Sequence, residues 1–376
     1  MFPRWTALAR TNSDDLGIMN RTETIPRYDT TQTYRWNYDH APEVIERLEL
    51  PAVPGSWTFC RRPIPSPLGV PAGPLLNGRW VLYYAALGFD VLTYKTVRSR
   101  PRECYPLPNL VPVDVGPMNG SEPSVPTAAT MSGSWAVSFG MPSMDPEVWR
   151  RDVEWTRAHL PREKVLSVSV VGTVQPDWSL DDLAEDYARC AAWAADSGAD
   201  CIETNFSCPN VSTCDGQLYQ QPESAAAVAR RVREAIGRTP YIIKIGYVPD
   251  ESSARALLTA VSPFIDAVAM TNSVATRVRT SEGDLLFDGQ LRGICGQATL
   301  SASVAQCGLF ARLLHEARSP IEVIGVGGAS SAADVSRYLQ AGAKSVHIAT
   351  AAMVDPLLAA RIRPELAERI RRETDR

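Results

Sequence analysis

The 376-residue chain contains no Cys-x-x-Cys pair; its cysteines (Cys60, Cys104, Cys190, Cys201, Cys208, Cys214, Cys295 and Cys307) are scattered. Zinc ribbons, other metal sites and iron–sulfur ligand sets therefore find no support. The start, Met1-Phe2-Pro3-Arg4-Trp5, lacks an apolar leader, and no apolar run approaches the ~20 residues that span a bilayer. The expected setting is the cytoplasm, with reduced thiols and no membrane partner. A net charge of -4 supplies no excess of positive charge to attract nucleic acid. No G-x-G-x-x-G follows the first strand, so a doubly wound open sheet is only the second reading of the fold.

What is present is a repeat. From residue 64 apolar strands alternate with amphipathic helices. The strands are at Leu68–Pro74, which ends in a Gly/Pro turn, Phe89–Thr96, Val165–Val171, Asp200–Asn205, Tyr241–Gly246, Ile265–Thr271, Ile321–Gly325 and Ser345–Ile348. Helices are expected at Gly78–Leu87, Glu147–His159, Leu180–Ala195, Glu223–Ile236, Ser252–Val261, Ala298–Ala317, Ser331–Ala341 and Pro356–Arg372. About eight strand–helix units are the count of a closed (β/α)8 TIM barrel. Residues 1–63 are read as an N-terminal extension with a short helix over Ala41–Leu48, wrapped on the barrel or used as an oligomer contact. Residues 64–376 are read as the barrel. Within it 98–145, rich in Pro, Gly and Ser, is an inserted lid, a binding segment or a set of small strands. The stretch 272–297 is read as a loop.

In such a repeat, chemistry belongs at the carboxyl ends of the strands. There Asn205-Phe206-Ser207-Cys208-Pro209-Asn210 crowds a thiol between two carboxamides, which pair donor and acceptor as an amide or imide requires. The plainer reading is a turn with a buried cysteine. Lys95 and Lys244 end two apolar strands, where an ammonium is costly unless it meets an anion or reaches solvent. Gly327-Gly328 follows the seventh strand and opens a helix, which suits a phosphate, and Ala349-Thr350 would complete the cup; a tight turn is the alternative.

The hexapeptide resembles the Asn-Leu-Ser-Cys-Pro-Asn signature of class 1 dihydroorotate dehydrogenases and the related segment of dihydropyrimidine dehydrogenases. The resemblance runs through residues 64–356: Ala72-Gly73, Lys95, the hexapeptide, Lys244, Thr271-Asn272-Ser273, Gly293, Gly327-Gly328 and Thr350. It implies an FMN-binding barrel and Cys208 as catalytic base. Asn205, Asn210, Asn272 and Ser273 become substrate ligands. Lys95 and Lys244 lie beside the flavin, Lys244 near its N1 and O2. Ala72, Gly73, Thr271, Gly293, Gly327, Gly328, Ala349 and Thr350 become cofactor contacts, and Cys295 a packing residue. A homodimer and a small cyclic amide, imide or enone-type substrate are expected. The membrane-binding helix pair of quinone-linked relatives is not seen.

Two positions depart from the pattern. Val137 stands where the family has a substrate asparagine, in Val137-Ser138-Phe139-Gly140-Met141-Pro142-Ser143, and Ala275 stands where Asn-Ser-Val-Asn has its last residue. Each unpaired ligand group costs ~1–3 kcal/mol. The resulting expectation is an FMN-dependent oxidoreductase of a CH–CH or C=C bond beside a carbonyl, with altered substrate specificity. An authentic dihydroorotate dehydrogenase of pyrimidine synthesis is the second reading, and a barrel that binds FMN or phosphate without turnover the third.

Overall fold

The structure, a computed structural model, describes residues 25–43, 45–207 and 217–374. Eight parallel strands close a barrel: β1 (Leu68–Val70), β2 (Val91–Val97), β3 (Val165–Val170), β4 (Cys201–Asn205), β5 (Tyr241–Lys244), β6 (Ala267–Met270), β7 (Glu322–Val326) and β8 (Ser345–His347). Each pairs with its neighbours in sequence, and β8 returns to β1. The outer helices are α1 (Gly78–Ala86), α2 (Pro146–His159), α3 (Leu180–Asp196), α4 (Pro222–Ile236), α5 (Glu251–Val261), α6 (Leu300–Glu316), α7 (Ala332–Gln340) and α8 (Leu358–Thr374). Their starts are set locally. Asp145, Ser179, Asp250 and Ser331 accept hydrogen bonds from first-turn amides, and Ser179 with Asp182 forms a reciprocal capping box.

The expected (β/α)8 fold is observed. Two expectations of local structure are not. The helix over Ala41–Leu48 does not form among the described residues of that stretch; Tyr34–Asp39 is helical instead, capped by Thr33. Docking outweighs local propensity there, because the Leu48 amide donates to Ala86 O at the end of α1. The stretch 272–297 is not a loop. It holds strands Val274–Arg279 and Arg292–Gly296, and the first alternates buried and more exposed residues along its length. Between β8 and α8 lies a further short helix, Thr350–Val354.

The 98–145 insertion supplies small strands: Leu110–Pro112, Ser124–Pro126 and Ser134–Val137. These join the 274–296 hairpin in a five-stranded sheet. Val113, Val125, Ala136, Val274, Val278 and Ile294 form its own apolar core. The opposite face carries Cys295, whose thiol lies 3.6 Å from Asn272 O just beyond β6, so that face looks onto the carboxyl-end mouth of the barrel.

The other end of the barrel is sealed. Hairpin strands Trp57–Phe59 and Arg62–Ile64 straddle the expected boundary at residue 63, and Phe59, Cys60 and Ile64 pack with the barrel interior. Its turn residues, Cys60 and Arg61, have φ of 48° and 66°. Their amides donate to Glu322 at 2.8 and 3.1 Å. Asp90, at the foot of β2, accepts from Ser66 Oγ at 2.5 Å, Lys164 Nζ at 2.6 Å and Arg363 Nη1 at 2.9 Å, all inside the protein. Asp90→Asn removes the charge while Lys164 and Arg363 stay buried. We expect a loss of about 3–5 kcal/mol in unfolding free energy by denaturant titration; a change under 1 kcal/mol would show that the two cations find water.

Candidate active site

Strand alternation fixes which side chains reach the mouth. Cys201 lies in the interior cluster, so Glu203 and Asn205 share its face. Asn205 is paired directly with Lys244 on β5, and both are buried. The Asn205 Oδ1 accepts from the Ser207 amide at 3.1 Å, and its Nδ2 faces Met141 Sδ at 3.6 Å, a weak acceptor. Lys244 Nζ donates to Ala72 O at 3.3 Å, which ties the turn after β1 to β5. Lys95 is buried near the end of β2. Asn272 donates to Ser207 O at 2.8 Å, bridging the ends of β4 and β6. Ser273 follows it, buried.

Of the residues singled out from sequence, Ala72, Gly73, Lys95, Asn205, Lys244, Thr271, Asn272, Ser273, Gly327, Gly328, Ala349 and Thr350 all stand at this rim, at or just beyond strand ends. Cys208 and Asn210 lie outside the described residues; Ser207, immediately before them, is buried. Val137, Gly293 and Ala275 form one row across three adjacent strands, Gly293 being the direct partner of both. They share the mouth-facing side with Cys295.

The electrostatics separate packing thiols from reactive ones. Burial pushes the Cys295 thiol up to about 12 despite the opposing charge of Lys244, which agrees with a packing role. Burial pushes Cys104 up to about 11, with Lys95 opposing. His347, inside the barrel, is lowered to about 3 by burial and then by Lys244, so it stays neutral.

Sequence reasoning missed part of this site. Glu203 was passed over because its strand reads as buried and apolar, yet a carboxylate there has the same desolvation problem as the lysines. The N-terminal segment also packs on the insertion that covers the mouth: Tyr28 and Tyr34 meet the Phe139 ring edge-on at 6.0 and 6.1 Å. Nothing in its spacing announces that contact.

An anionic cofactor fits this rim. Two buried ammonium groups face it, and the Thr271 Oγ1 and Ser303 Oγ atoms are buried without hydrogen-bond partners among the described residues. After β7 the backbone runs too close to its surroundings for side chains. A Cβ on Gly327, at φ +120°, would lie 2.5 Å from Ser303 Oγ. One on Gly328, at φ +76°, would lie 2.7 Å from Leu300 N and 2.8 Å from Gly296 O.

Fold and rim together make a (β/α)8 barrel whose mouth suits an anionic cofactor. The sequence model of the family described as dihydroorotate dehydrogenase matches residues 56–370, and the chain belongs to that family, whose enzymes are FMN-dependent oxidoreductases of CH–CH donors. It is 29% identical over 356 residues to the dihydroorotate dehydrogenase of Dictyostelium discoideum, covering 89% of this chain and 95% of that one. It is 28% identical over 283 residues to the catalytic subunit of a dihydroorotate dehydrogenase B (NAD(+)) from Desulforudis audaxviator, covering 74% and 80%. The fold matches the crystal structure of the Eimeria tenella enzyme in complex with ferulenol, with TM-score 0.69, 17% identity and 90% of each chain covered.

Gly328→Val should abolish FMN retention, because both the positive φ and the approach of Leu300 N and Gly296 O forbid its side chain. Flavin absorbance per chain checks this. Full occupancy in a folded variant would remove these glycines from the cofactor site.

Proposed function

We propose that this chain is a dihydroorotate dehydrogenase-like oxidoreductase whose substrate differs from dihydroorotate. The observation that supports the reading is the row Val137–Gly293–Ala275 on the mouth-facing side of the five-stranded sheet. It offers two apolar side chains and a glycine where the family resemblance calls for two carboxamides. A ring with fewer amide edges, or a smaller and more apolar one, suits this row. Asn205 and Asn272 remain to orient a carbonyl or N–H.

FMN, when bound, supplies the two-electron acceptor or donor, taking up the second hydrogen and two electrons as the substrate C–C bond becomes C=C. The chain's own residues handle the rest. In the dehydrogenase direction Cys208 takes the proton beside the substrate carbonyl. In the reductase direction Cys208 returns the proton. Lys244 and Lys95 offset the negative charge that accumulates at the mouth. A homodimer in the cytoplasm goes with this reading; no described helix is long and apolar enough to cross a membrane.

Flavin bleaching by a panel of cyclic amides, imides and enones, followed by reoxidation with fumarate, quinones or NAD(P), identifies the substrate. Cys208→Ser should keep flavin and ligand binding but slow turnover ~10²–10⁴-fold, since a hydroxyl is far harder to deprotonate than a thiol. An unchanged rate would assign the proton transfer to another group.

Val137→Asn with Ala275→Asn should raise orotate affinity, read from the flavin spectrum, by roughly thirtyfold or more if both carboxamides engage. Tight orotate binding by the parent protein, or rapid bleaching by dihydroorotate, would instead make it an authentic dihydroorotate dehydrogenase.

A further inference from the structure

Glu203 is two residues before Asn205 on β4 and faces the barrel interior with it. Its Oε1 lies 3.7 Å from Lys244 Nζ, with the two side chains 2% and 1% exposed. That separation is an ion pair rather than a hydrogen bond, and Oε1 has no hydrogen-bond partner among the described residues. Among the described residues, two further ionisable groups feel the charge of Lys244, and neither brings a negative charge. His347 is held neutral and Cys295 is held as the thiol, both by burial. Lys95, near the mouth end of β2, is a second cation.

A buried ion pair is a poor stabilising device, because desolvation consumes most of the attraction, and two apolar side chains of the same volume would pack as well. Its position suggests another use. The pair lies at the base of the mouth, with Lys244 reaching Ala72 O in the turn after β1. An ammonium left alone there would impose its full charge on any bound ring.

We infer that Glu203 is a positioning residue that offsets part of the positive charge Lys244 presents to the flavin. The inference rests on the reading of Lys244 as a flavin neighbour. It adds that the site's preference for a negatively charged flavin is deliberately restrained, by a carboxylate that does not touch substrate.

The test uses sulfite, whose complex with flavin carries negative charge toward the N1 and C2 oxygen edge, titrated into the FMN-loaded protein and read by loss of flavin absorbance. The flavin midpoint potential is the second readout. Glu203→Gln should bind sulfite about tenfold or more tightly and move the potential upward. Glu203→Asp, which keeps the charge, should stay close to the parent. Glu203→Ala carries the same expectation as Glu203→Gln and serves if the latter does not fold. In a Lys244→Met background the Glu203→Gln change should be silent, because a buried carboxyl without its cation takes up a proton. Unchanged sulfite affinity in Glu203→Gln overturns the inference. So does weaker binding, which would mean that the opposing charge was never felt, and so does an undiminished effect without Lys244. A parent protein that takes up no FMN would overturn the flavin reading itself, and this is seen before any variant is made.

Discussion

Asp90 accepts from Ser66, Lys164 and Arg363 at the foot of β2, where it is fully buried. The same device recurs around the closed rim. Asp200 takes Arg62 and Arg157 and accepts from the Leu166 amide; Asp266 takes Arg61 and Arg233 and accepts from the Tyr241 amide. Glu322 holds the hairpin turn. Each carboxylate joins elements distant in sequence, and removing any one takes the charge partner from buried or half-buried cations or the acceptor from backbone amides. Barrel closure and its fixed register depend on this rim. The alignment of eight strand ends at the far rim follows from that register, since parallel strands hold their neighbours along their whole length.

The far rim inverts this logic. At the floor, four carboxylates, Asp90, Asp200, Asp266 and Glu322, gather five arginines and Lys164. At the mouth, two buried lysines, Lys95 and Lys244, stand with the carboxylate of Glu203. Asn272 there bridges the ends of β6 and β4 through Ser207 O, while the Ser207 amide donates to Asn205 Oδ1 within its own turn. The five-stranded sheet then covers the mouth with its own small core behind it. Specificity can change on the inward face of that sheet without disturbing the apolar packing on its other face.

The barrel was legible because its strands are short apolar runs separated by long amphipathic helices, and because charged residues sit where strands end. Lys95, Asn205 and Lys244 stood out as polar groups in apolar company. The insertion was less legible because its strands are three or four residues long, too short to show a period. Val274–Arg279 does alternate, but its exposed arginines and the glycines beyond it resemble a loop. Glu203 is less legible because it stands inside a short run that reads as a buried apolar strand, although the cost of burying an ion holds for either sign. The pairing of Val137, Gly293 and Ala275 could not be read at all, since 138 residues separate the outer two and only a strand between them makes them neighbours.

The hairpin that seals the floor depends on a residue made very late. The Cys60 amide and its acceptor on Glu322 are 262 positions apart. During synthesis the chain emerges from the amino terminus, so the turn at Cys60 and Arg61 is exposed to the ribosome's surroundings while six of the eight barrel strands are being made. Its left-handed backbone has no carboxylate to receive its amides until β7 has left the exit tunnel. The nascent chain therefore carries an unsealed apolar floor for most of its elongation, and the length of time it spends in that state is set by translation speed rather than by folding.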